Sequence, residues 1–160
     1  MFVGRIWKFG NDVDTDQIIP SQYMLLPTID EMKQFTFEPL DKEFASKVQA
    51  GDIILGGENF GSGSSREQAP RVLKALGIKA VVAKSFARIF FRNSINIALP
   101  VIVCKEIYDI VEAGDSIEVD VEQGTVKDLK NGNVFTSTKL PKHIMDILES
   151  EGLIEFLNKR

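Results

Sequence analysis

Residues 56–67 bring together four glycines (Gly56, Gly57, Gly61, Gly63), three serines (Ser62, Ser64, Ser65) and Arg66, directly after the apolar run Ile53, Ile54, Leu55. Such a composition is suited to holding an anion. Glycines permit positive φ angles and let a ligand approach the backbone, at an entropic cost that plain connectors seldom carry. Ser64 and Glu67 form the Ser-x-x-Glu pattern of a capping box, which predicts a helix start at Ser64. A helix amino end offers unpaired N–H groups and partial positive charge, and Arg66 adds a planar fork of donors matched to a carboxylate or phosphate. Ser64, Ser65 and Arg66 are therefore the candidate anion-binding residues, with Gly61 and Gly63 forming the turn that presents them. Pro70 cuts across the helix reading, because it cannot donate to the Arg66 carbonyl and suits a first helical position better than a sixth. Residues 64–69 then read as a single turn ahead of a helix that opens at Pro70.

Other glycine-rich strand-to-helix turns make demands that this loop does not meet. A phosphate-binding P-loop ends in Gly-Lys-Ser/Thr, and no lysine lies between Ile53 and Val72. A dinucleotide fingerprint needs a third glycine where Arg66 stands and an acidic residue about 20 positions on, where this chain runs Ala80, Val81, Val82, Ala83. A hydrolase elbow needs a closing glycine, and Glu67 occupies that place. A capped helix without a ligand accounts for Ser64 and Glu67 but leaves the remaining glycines, serines and Arg66 unexplained.

The run Gly-Glu-Asn-Phe-Gly-Ser-Gly-Ser-Ser-Arg-Glu-Gln-Ala-Pro over 57–70 closely resembles the signature of the swivelling domain of the aconitase superfamily. Asp-Val-Asp-Thr-Asp-Gln-Ile-Ile-Pro over 12–20 and Lys-Ser-Phe-Ala-Arg-Ile-Phe over 84–90 resemble two more of its blocks, in the same order. The resemblance spans nearly the whole chain and is to the free-standing small subunits of the isopropylmalate dehydratase and homoaconitase type. Ser62 departs from it, standing where many such subunits have cysteine.

The resemblance implies roles at matching positions. Ser64 is the base that takes the proton next to a carboxylate, Arg66 holds a substrate carboxylate, and Ser65 hydrogen-bonds that group or the turn. A serine hydroxyl is a weak base, so its alkoxide needs backbone N–H donors, a helix amino end and a cation around it. The loop after the Asp-Thr-Asp block implies that substrate choice lies with Leu25 and Leu26. Homoaconitase-type subunits carry arginine at the position of Leu25, so leucines there favour an isopropyl group over a third carboxylate, unless both are ordinary core residues. Asp14, Thr15 and Asp16 orient the loop or Arg66, or serve only as turn residues. Arg88 touches a partner or braces the site, and Ser85 is expected to cap the helix after it.

Composition limits the remaining possibilities. A chain of 160 residues with 44% hydrophobic content can bury one sizeable core, so residues 1–160 are expected to form a single domain. Net charge is −4 with both signs interspersed, which argues against nucleic-acid binding and against a polybasic membrane surface. No apolar stretch approaches the ~20 residues that span a bilayer and the amino end lacks the form of a signal peptide, so a cytoplasmic protein is expected. Cys104 is the only cysteine and His143 the only histidine, so there is no disulfide and no metal-ligand set. The iron–sulfur cluster that the resemblance implies, of the 4Fe-4S kind, is thus expected on a separate large subunit, as a Lewis acid for the departing hydroxyl. Cys104 reads as a small buried strand residue, and His143 as a surface residue beside the apolar face of Ile144, Ile147 and Leu148.

The elements that must position these residues follow from periodicity. Strand is predicted over 2–9, a polar loop over 11–20, a helix opened by the Thr28/Glu31 capping box through about Phe35, and a short helix over 41–48. From Ile53 the pattern alternates: strands over 53–55, 80–83 and 101–104, helices over 70–76 and 86–97. That implies parallel strands joined by right-handed crossovers, with ligands at their carboxyl ends. Strands over 116–121, 125–129 and 134–138, split by Gln123-Gly124 and Asn131-Gly132, predict antiparallel hairpins, and a final helix from Pro141 is interrupted at Gly152. The class is α/β: a swivelling β/β/α domain of the aconitase C-terminal type, with a parallel βαβαβ core plus hairpins. Three other functions fit the same loop: the small subunit of a homoaconitase or of a dehydratase for another dicarboxylate such as citramalate or dimethylmalate, a stand-alone module for a small phosphate or carboxylate, and a serine hydrolase pairing Ser64 or Ser65 with His143.

Overall fold

The computed structural model describes residues 1–159. Strands β1 (Phe2–Lys8), β2 (Ile53–Gly56), β3 (Ala80–Ala83), β4 (Val101–Val103), β5 (Ser116–Asp120), β6 (Thr125–Asp128) and β7 (Val134–Thr136) form one sheet in the order β4-β3-β2-β1-β5-β6-β7. The first four are mutually parallel, and β5, β6 and β7 continue antiparallel from the other side of β1. β1 therefore belongs to both halves, pairing Ile6 with Ile53 on one side and Gly4 with Ile117 on the other. The predicted βαβαβ core and hairpins are both present, with β1 as a further parallel strand.

Helices α1 (Thr15–Ile18), α2 (Ile29–Met32), α3 (Phe44–Lys47), α4 (Gln68–Ala75), α5 (Arg88–Asn96), α6 (Lys142–Glu149) and α7 (Leu153–Asn158) complete the described chain. Parallel strands in sequential order, joined by crossovers of one hand, carry their connecting helices on one face. Alternation along each strand then sorts the core into two layers. Ile54, Val81, Ala83 and Val101 pack against the helices with Ile18, Phe44, Val72, Leu73 and Phe90. Ile53, Leu55, Val82 and Ile102 point the other way and meet Ile117, Val119 and Val126, so the sheet curls and the hairpins cover its second face.

Several local expectations shift. Residues 11–20 contain α1, whose Asp14 cap accepts from the Gln17 backbone N–H while the Gln17 side chain accepts from Asp14 N–H, a capping box that the polar composition concealed. The expected Ser64 cap is absent: α4 begins at Gln68, its cap position Glu67 has φ −62° and makes no side-chain cap bond. Pro70 falls in the first turn of α4, where its missing N–H costs nothing. Ser85 does not cap α5 either, since Ala87 holds that position and the Ser85 hydroxyl is turned back towards Glu58 and Asn59. The helix opened by Thr28 is one α turn followed by a 3₁₀ turn over Lys33–Phe35, and the helix expected over 41–48 is a single turn. Cys104 is buried and burial pushes its thiol pKa up, while His143 is exposed on α6.

Gly61 ties the loop after β2 to α5. Its φ is +85°, and a Cβ there would lie 2.2 Å from Cγ of the buried Phe90 ring. Gly61→Ala combines left-handed strain, worth about 1–2 kcal/mol, with overpacking, worth about 1–3 kcal/mol. It should cost about 3 kcal/mol, read as a lowered midpoint in urea; an unchanged midpoint would show that Phe90 and the loop yield freely.

Candidate functional site

The loops at the carboxyl ends of β1, β2 and β3 are laced together by backbone hydrogen bonds. Gly57 N–H donates to Gly10 O (3.0 Å), Asp12 N–H to Glu58 O (2.8 Å), Gly61 N–H to Val13 O (2.7 Å) and Thr15 N–H to Ser62 O (2.9 Å). On the opposite side Phe60 N–H donates to Ser85 O (3.0 Å) and Ala87 N–H to Phe60 O (2.9 Å). The glycine-rich segment thus prolongs β2 as a ribbon between its two neighbours, with single parallel bridges Asp14–Ser62 and Phe60–Phe86. Phe60 is fully buried, which anchors the ribbon in the core. Asp12 (φ 53°) and Asn59 (φ 56°) are both left-handed and face each other, the Asn59 amide donating to Asp12 Oδ1 at 3.1 Å. Asp and Asn tolerate that conformation best among residues with a Cβ. Nothing local in the sequence reveals that the two residues pair.

Ser64 and Ser65 are exposed at the end of this ribbon, after Gly63 at φ +89°. The buried Thr15 hydroxyl donates to the Ser64 carbonyl at 2.8 Å and lies 3.5 Å from Ser64 Oγ. Its one proton is committed to that carbonyl, so Thr15 positions Ser64 without activating it. Arg66 is held at Nη1, which donates to Asp16 Oδ1 (2.9 Å) and to the Ile19 carbonyl (2.9 Å). Those two bonds use both Nη1 hydrogens and leave three donors on the Nε–Nη2 edge. Asp16 Oδ1 also accepts from Ser21 N–H at 3.1 Å. The Arg66 hydrogen bond, followed by that of Ser21, holds the Asp16 carboxyl below the usual carboxylate range. Asp14 acts as the α1 cap, so of the three residues in that block Asp14 shapes the helix, Thr15 holds the Ser64 backbone and Asp16 holds Arg66.

Leu25 ends a 3₁₀ turn over Ser21–Leu25 and is 90% exposed, whereas Leu26 is half-buried against the helix-side core. Only Leu26 matches the core-residue reading. Arg88 is the exposed first residue of α5 and, among the described residues, no hydrogen bond links it to Ser64, Ser65 or Arg66. It lines an apolar cavity of about 470 Å³ with Phe86, Phe91, Ile95, Ile144 and Ile147. Nor does any hydrogen bond among the described residues join His143 to Ser64 or Ser65, so the structure assembles no Ser–His pair. No described group of three or more His, Cys, Asp or Glu side chains is placed to hold a metal ion, and no described helix is long and apolar enough to cross a membrane.

Comparison with known proteins bears on this arrangement. The model of the aconitase C-terminal domain family matches residues 10–106, which contain the lacing and the Ser64–Arg66 segment. The isopropylmalate/citramalate isomerase small subunit of Methanocaldococcus jannaschii is 52% identical over 157 residues, covering 98% of this chain and 94% of the relative. The 3-isopropylmalate dehydratase small subunit of Aquifex aeolicus is 49% identical over 160 residues, covering 99% and 95%. The crystal structure of a 3-isopropylmalate dehydratase from M. jannaschii superposes with a TM-score of 0.94 at 42% identity, over 99% of this chain and 94% of that one. The chain belongs to the aconitase C-terminal domain family, in the branch formed by the 3-isopropylmalate dehydratase small subunits.

Proposed function

We propose that this chain, acting as one swivelling domain over residues 1–160, is the small subunit of a hydro-lyase that isomerises 2-isopropylmalate to 3-isopropylmalate in leucine biosynthesis. The observation that carries the reading is the clamped Arg66 beside an exposed Ser64. Asp16 and Ile19 hold one end of the guanidinium, and the free Nε–Nη2 edge is shaped for a substrate carboxylate. Ser64 Oγ, as the alkoxide, takes the proton from the carbon next to a carboxylate, the neighbouring hydroxyl takes a proton from an acid of the large subunit and leaves as water, and water returns across the double bond with the positions exchanged as both protons are given back. The Arg66 charge and backbone N–H groups of the turn support the alkoxide. Ser65 lies between the two and hydrogen-bonds the carboxylate or the turn, while Gly61 and Gly63 allow the ribbon its course.

The iron–sulfur cluster of the family's chemistry does not fit this chain, whose one cysteine, Cys104, is buried. The cluster is assigned to a large subunit, and this chain contributes the base, the carboxylate clamp and the selecting loop. The exposed Leu25, with Leu26 behind it, suits an isopropyl group. Citramalate is the second substrate to consider, because the M. jannaschii relative is named for both acids.

Anaerobic assembly with a cluster-loaded large subunit should give isomerisation of 2-isopropylmalate that needs both chains; turnover or tight substrate binding by this chain alone would refute the assignment. In that complex Ser64→Ala should lower kcat about 10²–10⁴-fold without changing the melting temperature, whereas near-normal turnover would remove Ser64 as the base. Leu25→Arg should shift preference from isopropylmalate towards homoaconitate, and unchanged preference would remove Leu25 from substrate selection. Because its folded-state pKa is depressed, Asp16 contributes its clamp above the ordinary carboxylate range and loses it as pH falls through the lowered value. KM should therefore rise on the acid side in the native enzyme, and Asp16→Asn should show a raised KM with that limb abolished. An identical acid limb in the variant would assign it to another group.

A further inference from the structure

Leu25 has almost no contacts of its own, so its position is set by the backbone that carries it. That backbone belongs to a long loop whose base is clipped by Phe37 N–H donating to the Ile18 carbonyl at 2.8 Å. Phe37 adopts φ 60° there and is fully buried, stacked on Phe9 with ring centroids 4.1 Å apart. Met32, buried in α2, pins the far side of the loop to the helix-side core. Neither pin lies in the turn that presents Leu25.

Tyr23 lies two residues before Leu25. Its ring stacks on Phe35 with centroids 4.0 Å apart and planes 3° from parallel, and its hydroxyl donates to Glu38 Oε1 at 2.5 Å. All three residues are only half-buried, with Tyr23 and Phe35 at the edge of the helix-side core. Their geometry is nonetheless specific: a flat stack fixes the ring plane, and a charge-assisted hydrogen bond at the ring's far end fixes its reach. The 3₁₀ turn is carried on that ring, with Tyr23 N–H donating to Pro20 O (3.0 Å) and Leu26 N–H to Tyr23 O (3.1 Å). The start of the same turn is tied to the site, since Asp16 Oδ1 accepts from both Ser21 N–H and Arg66 Nη1.

We infer that Tyr23, Phe35 and Glu38 form a clasp that sets Leu25 at a fixed place relative to Arg66, and so decides which side group the enzyme accepts beside the bound carboxylate. They are positioning residues, acting through Leu25. The inference rests on the reading of Leu25 as the selecting residue.

The test uses the assembled two-subunit enzyme, with kcat and KM measured on 2-isopropylmalate and on citramalate, which carries methyl in place of isopropyl. Tyr23→Phe keeps the stack and removes the donor; it should lower the preference for isopropylmalate about tenfold, through KM, with kcat on isopropylmalate within about twofold. Glu38→Gln retains an acceptor and should recover part of that preference, whereas Glu38→Leu should not. Hydrogen exchange of amides 22–26 in the same complexes should quicken in Tyr23→Phe and Glu38→Leu, which a general loss of stability would not confine to those residues. Changed selectivity in a parallel Leu25→Ala variant with native selectivity and exchange in Tyr23→Phe overturns the clasp alone. Unchanged selectivity in Leu25→Ala overturns the reading of Leu25 and the inference with it.

Discussion

Backbone hydrogen bonding beyond the end of β2 is the constraint on which the site depends. The segment after Gly56 runs between two neighbouring loops with its Phe60 side chain fully buried, so its N–H and carbonyl groups cannot all turn to water. They pair instead with the β1 loop at Gly10, Asp12, Val13 and Thr15, and with the β3 loop at Ser85 and Ala87. The close approaches follow from this pairing. A Cβ on Gly57 would meet Asn11 Oδ1 at 2.1 Å, and one on Gly61 would meet Phe90. The glycines are required by how near the three loops lie.

The curled sheet makes such lacing possible. With β1 shared by the parallel and antiparallel halves, the carboxyl ends of β1, β2 and β3 stand side by side. At the opposite end Asp52, just ahead of β2 and buried, accepts from the Trp7 indole (2.9 Å), Arg5 (3.2 Å) and Gln49 N–H (2.9 Å), fixing β2 against β1. Parallel strands alone would leave Ile53, Leu55 and Val82 facing solvent; the hairpins bury them and keep the helices on the other face.

The chemistry is likewise divided between rigid and adjustable parts. Ser64 is placed by the turn at Gly63 and by the Thr15 side chain, whose hydroxyl donates to the Ser64 carbonyl and lies 3.5 Å from Ser64 Oγ. Arg66 is placed by side chain, and Asp16 links it to the start of the loop that carries Leu25. Under the proposed roles, carboxylate recognition by Arg66 and side-group recognition by Leu25 would be mechanically adjacent, because Asp16 Oδ1 is shared between Arg66 and the start of the Leu25 turn.

What the sequence by itself determined was local. The alternation of apolar runs with helical segments and the Gln123-Gly124 and Asn131-Gly132 turns each express a short-range preference, and the structure follows them. The lone Cys104 likewise settled that this chain has no thiolate set for a cluster. Local rules failed where a distant partner outcompeted the near one. Ser64 and Glu67 satisfy the capping-box pattern, yet the Ser64 carbonyl accepts from Arg66 N–H and from the Thr15 hydroxyl, far back in the chain, and the helix starts at Gln68. Ser85 was available as a cap but serves the ribbon at Asn59 and Glu58. Only the tertiary structure decided that Arg66 is clamped by Asp16 and Ile19, that Leu25 points into solvent while Leu26 packs, and that Tyr23 clasps Glu38. Those contacts join residues from 15 to 50 positions apart, and which of many possible polar pairs forms is set by the folded backbone rather than by sequence spacing.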